Sequence, residues 1–262
     1  MKKLGFIGMG NMAQALAAGF IGSGKIAAED VYAFAPNQEK LKMNAEKIGF
    51  TPVASVKELA EIADNLVMAC KPYQIEGVLA ELKGCLEGKN IISVAAGWPF
   101  DLYAQHLEEN VGVQFVMPNT PAMVGEGVLL FEDKNSLSEE TLAEVKDLFA
   151  AVGMVEVLPS HLMGIGGAVT GCGPAFVDLF MEAYADAAVK YGIPRDKAYK
   201  FVAMTLKGSA QLQLETGTHP GVLKDNVCSP AGTTICGVAA LEEAGFRSAC
   251  IKSIDAIMNK KK

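Results

Sequence analysis

Gly8-Met9-Gly10-Asn11-Met12-Ala13 is the first stretch whose residue types and spacing can do chemistry. It has the spacing of a dinucleotide fingerprint: the first glycine makes a tight turn, and the second lets backbone approach a pyrophosphate. The small third residue, here Ala13, lets a helix pack on a strand. A helix start at this point offers free N–H groups and a partial positive charge to phosphate. Further on, Ala35-Pro36-Asn37-Gln38 stands where an NAD site usually places an acid for the ribose hydroxyls. The first carboxylate is Glu39, and Lys40 and Lys42 follow it. An acid would repel a 2′-phosphate, whereas Asn37 can donate to one. The strand end therefore favours NADP(H), with NAD(H) also admitted. Asn37 equally suits the N-cap of the next helix, and the two roles are compatible. Ala69-Cys70-Lys71-Pro72 and Ala95-Ala96-Gly97 mark two more strand ends, where open α/β sheets bind ligands. Their small residues leave room for a nicotinamide. Lys71 reads either as a group near the cofactor or as a solvated loop charge.

The second informative stretch is 223–235, which sets Asn226, Ser229, Pro230, Gly232, Thr233 and Thr234 just ahead of a helix. Hydroxyls and successive backbone N–H groups at a helix start make a nest for a carboxylate. The same residues also suit a Pro/Gly loop whose Ser and Thr cap the next helix. The six Cys and three His show no CxxC pair and no zinc spacing, so no metal site is expected and the thiols read as reduced.

These groups need a scaffold. Strand patterns at 3–7, 30–35, 65–70, 90–95, 113–117, 128–131 and 154–157 alternate with helical ones at 14–21, 38–48, 56–63, 73–82, 100–106 and 138–151. Such alternation predicts an α/β fold with a Rossmann-type, doubly wound, mostly parallel sheet. It stops near Leu158. Helices are expected at 174–191, 195–215 and 238–259, with a Gly/Pro/Thr-rich connection at 216–237. The expected domains are 1–159, binding NADP(H), and 160–262, an all-helical unit for substrate and dimerisation. Small residues along the later helices suit close packing against a second copy.

The chain has 262 residues, 23 basic and 30 acidic, for a net charge of −7; half of it is hydrophobic and 20% charged. That composition excludes a mainly disordered chain and a general nucleic-acid binder. No apolar run reaches the ~18 residues of a membrane span, and Met1-Lys2-Lys3 leads directly into a strand pattern. No membrane partner and no export are therefore expected, and the chain is assigned to the cytoplasm.

The sequence resembles pyrroline-5-carboxylate reductases over essentially its whole length. The resemblance rests on GFIGMGNMAQA at 5–15, ACKP at 69–72, SVAAG at 93–97, MPNTPAMVGEG at 117–127 and TGCGPAF at 170–176. Most specific is HPGVLKDNVCSPAGTT at 219–234, followed by LEEAGFRS. Ala231 and Thr233 sit where relatives often carry Gly and Ala, and Cys172 where many carry Ser. The resemblance implies hydride transfer from NAD(P)H to the C=N carbon of Δ1-pyrroline-5-carboxylate, giving L-proline. It implies a helical domain that intertwines with a partner subunit, in a homodimer or a larger homo-oligomer such as a decamer. It also implies that Ser229 and the backbone of Gly232, Thr233 and Thr234 hold the substrate carboxylate. The Thr234 hydroxyl would lie near the ring nitrogen as the catalytic group, and Asn226 would order the loop.

Two other readings remain at this stage. A β-hydroxyacid dehydrogenase shares a similar opening, but it needs a Lys with Asn or Asp three residues on. Lys224 is followed by Val227 and Lys190 by Ile193, so neither fits. A non-catalytic NADP(H)-binding regulator has no need of a carboxylate nest.

Overall fold

The strand β1 (Leu4–Ile7) is buried at every position, as a central strand covered on both faces must be. The computed structural model describes residues 3–260. From β1 the chain runs through α1 (Asn11–Gly22), β2 (Val31–Phe34), α2 (Gln38–Ile48), the two-residue β3 (Thr51–Pro52), α3 (Val56–Ile62) and β4 (Asn65–Met68). It continues through α4 (Ile75–Glu81), β5 (Asn90–Ser93), α5 (Phe100–Tyr103), β6 (Gly112–Met117), β7 (Gly127–Asn135), α6 (Glu139–Phe149), β8 (Gly153–Leu158) and α7 (Met163–Thr170). The strands form one sheet in the order β3-β2-β1-β4-β5-β6-β7-β8. Every pair is parallel except β6 with β7. The strand order reverses between β1 and β4, and this is where a doubly wound sheet opens a crevice beyond its carboxyl ends.

Local chemistry explains the elements. In α1, Ala13, Leu16, Ala17 and Phe20 recur at helical spacing and are buried, so the alanines bring the helix close to the sheet. Asn37 caps α2, its side chain accepting from the Lys40 N–H at 2.9 Å, and Gly49 ends that helix in the left-handed conformation. Ser55 caps α3 and Ser138 caps α6 in the same way. Two apolar layers flank the sheet. One joins α1 and α6 through Phe20 and Phe149, whose ring centroids are 5.1 Å apart. The other gathers Leu59, Leu66, Leu79 and Tyr103.

The chain divides into two compact units between Gly171 and Cys172. The boundary expected at 159/160 differs from this division by α7. That helix packs on the sheet: Met163 is buried with Phe115 and Leu130, and Asn119 Nδ2 donates to the Thr170 carbonyl at 3.0 Å.

The second unit is helical: α8 (Gly173–Lys190), α9 (Arg195–Thr216), α10 (Pro220–Val227), α11 (Thr233–Glu243) and α12 (Phe246–Met258). Among its described residues only Ala185 and Ala198 are fully buried apolar side chains. Leu179, Phe201, Met204, Leu214, Val227 and Ile251 are all exposed.

Three expectations need correction. The 216–237 stretch contains α10, which opens with Pro220 at its first position, capped by His219 Nδ1 accepting from the Gly221 N–H at 3.0 Å. The last helix is two, separated at Gly245, where φ is +75°. An apolar helical stretch does reach membrane-crossing length: the helical residues of 160–190 include a window of mean hydropathy 1.3. It is divided between two helices, α7 and α8.

Candidate functional site: a dinucleotide cleft and a hydroxyl-lined turn

Parallel strands place their carboxyl ends together, and the loops leaving β1, β2, β4 and β5 line one cleft of about 720 Å³. Gly8, Met9, Gly10, Asn11, Met12 and Ala13 come from the β1–α1 turn. Ala35, Pro36 and Asn37 follow β2. Ala69, Cys70, Lys71 and Pro72 follow β4, and Ala95 and Ala96 follow β5. A separate groove of about 510 Å³ between α4 and the segment after α5 contains none of these residues.

The β1–α1 turn fits a pyrophosphate. Gly8 has φ +96°, and its N–H donates to the Phe34 carbonyl at 2.8 Å, so the turn is tied to β2. Gly10 is the N-cap of α1 and has no side chain to block the helix end; a Cβ there would meet nothing within 4 Å. The first intrahelical bond of α1 runs from the Gln14 N–H to the Gly10 carbonyl at 2.9 Å. The N–H groups of Asn11, Met12 and Ala13 therefore precede it and need an outside acceptor. No acidic residue lies in the first turn to compete for that role.

At β2 the Asn37 oxygen is used in capping α2, which leaves its NH₂ to donate. Lys71 opens a short turn in which its N–H donates to Gln74 Oε1 at 3.1 Å. Burial pushes the Cys70 thiol up to about 11, against a smaller opposing pull from its own backbone N–H. It therefore stays a neutral thiol in the cleft.

Some cleft residues escaped the sequence reading: Ile7, Phe34, Gln74, Val78 and Val94. Ser93 and Tyr103, both fully buried, support the β5 end from beneath. The Tyr103 hydroxyl donates to Ser93 Oγ at 3.0 Å, and the Ala95 N–H donates to the same oxygen at 3.3 Å. Burial drives the Tyr103 phenol well above its usual range, a shift opposed by its bond to Ser93. Glu132, 2% exposed, accepts from the Phe100 N–H at 2.8 Å and so caps α5. Nothing in the sequence near Phe100 signals a partner 32 residues away.

In the second unit, Ser229 and Gly232 fall in the turn between α10 and α11, and Thr233 and Thr234 are the first two residues of α11. The Gly232 N–H donates to the Ser229 carbonyl at 3.0 Å, closing the turn. Gly232 is the extended N-cap of α11 and provides no side-chain cap, so the first N–H groups of that helix are open to an anion. A Cβ on Gly232 would stand 2.5 Å from Ser229 Oγ, so only glycine lets the serine hydroxyl lie against the turn. Asn226 is exposed near the end of α10. Among the described residues its side chain forms no hydrogen bond that would order the loop.

The chain is similar to known proteins along its whole length. It is 40% identical over 260 residues to the pyrroline-5-carboxylate reductase of Escherichia coli K12, covering 99% of this chain and 97% of that one. The chain belongs to the pyrroline-5-carboxylate reductase family. The Treponema pallidum reductase is also 40% identical, over 98% of each chain. A family model described as pyrroline-5-carboxylate reductase dimerisation matches residues 160–262. One described as NADP oxidoreductase, coenzyme F420-dependent, matches residues 3–97. Among solved structures, the Plasmodium falciparum pyrroline carboxylate reductase with NADP bound superposes with a TM-score of 0.88 at 32% identity. That match covers 97% of this chain and 95% of the other. Membership in the reductase family removes the β-hydroxyacid dehydrogenase reading. It also accounts for the apolar helix faces of the second unit: they belong to a dimerisation region, and the reductase is a homo-oligomer.

Proposed function

We propose that the chain reduces Δ1-pyrroline-5-carboxylate to L-proline with NADPH, using NADH less well. The observation that carries this reading is the intact Ser229–Thr234 turn at the open start of α11, in a chain 40% identical to named reductases along its full length. The cleft at the β1–β4 switch point suits the dinucleotide: Gly10 leaves space over the α1 N-terminus, and that terminus supplies unpaired N–H groups. The Asn37 NH₂ and the neighbouring Lys40 suit a 2′-phosphate. A bound nicotinamide supplies the hydride.

The chain's own residues do the rest. Ser229 Oγ and the N–H groups of Thr233 and Thr234 hold the substrate carboxylate and so fix the ring, while the Gly232 N–H closes the turn onto the Ser229 carbonyl. The imine carbon accepts hydride, the C=N π pair moves onto nitrogen, and nitrogen takes a proton. The Thr234 hydroxyl holds that nitrogen and relays the proton from water; an alcohol is too weak an acid to act alone. We place the enzyme in the cytoplasm as a homodimer or a larger assembly such as a decamer, which light scattering distinguishes. The deciding assay follows NADPH oxidation with pyrroline-5-carboxylate against 3-hydroxyisobutyrate. Turnover with the imine alone is expected. No turnover with the imine overturns the reading and favours a cofactor-binding regulator.

A further inference from the structure

Ala231 is the one non-glycine residue with positive φ among the described residues, at +58°. It sits at the third position of the Ser229–Gly232 turn, after Pro230 at the second. That arrangement is the pattern of a type II turn, whose third position favours glycine. An L-residue in the left-handed region is disfavoured relative to its ordinary conformations by roughly five- to thirtyfold in population. Such conformations persist where the surroundings over-determine them. Within the single chain the surroundings do little: Ser229, Pro230 and Ala231 are all exposed, and one backbone hydrogen bond closes the turn.

We propose that Ala231 is a positioning residue that couples capture of the substrate carboxylate to ordering of the 229–232 turn. The proposal rests on the reading of Ser229–Thr234 as the carboxylate site. A carboxylate held by Ser229 Oγ and by the Thr233 and Thr234 N–H groups ties together the residues that flank Ala231 in the chain. It therefore selects the left-handed form of that residue. Apparent affinity is lowered by the fraction of enzyme already in that form. Glycine visits positive φ as readily as negative, and asparagine tolerates it better than alanine. A β-branched side chain is a true outlier there.

The test is steady-state kinetics on Ala231→Gly, Ala231→Asn and Ala231→Val beside the parent enzyme. KM for pyrroline-5-carboxylate should fall about fivefold in the glycine variant, fall less in the asparagine variant, and rise in the valine variant. The kcat should not increase, because the carboxylate is held alike in ground and transition states. KM for NADPH should stay level. Inhibition by L-proline, which carries the same carboxylate, should tighten in the glycine variant by the same factor as KM. A substrate KM that stays flat across the glycine and asparagine variants while their melting temperatures change overturns the proposal and leaves Ala231 a purely structural residue. A parent enzyme that does not turn over the imine at all overturns the carboxylate reading itself, and this proposal with it.

Discussion

A Cβ placed on Gly8 would stand 2.8 Å from the carbonyl oxygen of Ala69. The ends of β1 and β4 thus meet at a distance only glycine permits, and the Ala69 N–H donates to the Ile7 carbonyl at 2.9 Å beside it. Gly10, two residues on, has φ −78° and open space around it. The two glycines therefore serve different ends, and substitution separates them. Gly8→Ala should lower the melting temperature, since the left-handed backbone alone costs ~1–2 kcal/mol for alanine and the clash adds to it. Gly10→Ala should melt like the parent yet raise the Kd for NADPH by about tenfold or more, roughly 1.4 kcal/mol, because its methyl occupies the phosphate's space. Thermal unfolding with NADPH titration checks both. Parental NADPH affinity in Gly10→Ala would remove that position from the phosphate cradle.

Cofactor choice should turn on Asn37. The parent enzyme is expected to show a higher kcat/KM with NADPH than with NADH. Asn37→Asp keeps a capping oxygen for the Lys40 N–H but adds a ribose partner and repels a 2′-phosphate. Its preference should move toward NADH by about tenfold, on the order of 1.4 kcal/mol. A parent that prefers NADH tenfold contradicts this account of the β2 end.

Thr234 and Ser229 should fail in different ways. Thr234→Val keeps shape and removes the hydroxyl. Positioned proton-transfer groups contribute ~100–10,000-fold, and a hydroxyl that shares the task with water belongs at or below the lower bound, so kcat should drop roughly 10–100-fold. Ser229→Ala should raise KM more than it lowers kcat. Steady-state kinetics on both variants decides it; a Thr234→Val enzyme with parental constants leaves proton delivery to solvent.

Much of this arrangement is legible in residue types and spacing alone, for physical reasons. A buried strand followed by Gly8-x-Gly10-x-x-Ala13 admits few conformations, and short continuous apolar runs separate strands from the 3.6-residue period of helices in the first unit. The readings fail where a local rule yields to tertiary packing. The glycine-rich α7 went unread because its glycines look like loop, yet a side chain on Gly167 would collide with Met117 Sδ. Helix α10 was hidden by Pro220 and Gly221, which look like a turn until His219 is seen capping them. Ala231 showed only as a departure from relatives; its left-handed backbone is a property of the folded turn. Glu132 carries no sequence signal at all, since its partner is a backbone N–H on a distant segment.

Alkaline pH should loosen the first unit. The folded Cys70 thiol holds its proton to about pH 11, against 9.0 for an unperturbed thiol. Between those values the unfolded chain has lost a proton that the folded chain keeps, so ionisation favours unfolding. The stabilising contribution is full below about pH 9 and is lost as pH rises through about 11. Tyr103 shifts in the same direction and adds to the fall at higher pH. Melting temperatures measured across this range should decline above about pH 9, and Cys70→Ser should decline less steeply. An identical slope in that variant would show that the thiol carries no part of the effect.

The second unit, with little but Ala185 and Ala198 fully buried, has a genetic consequence. Subunits that complete one another's interior are chosen by their helix faces and not by their catalytic competence. A chain disabled only at Ser229 or Thr234 would still be accepted as a partner. In a cell making both versions, mixed assemblies would form alongside the pure ones, and the disabled chain would be retained in them rather than sorted out.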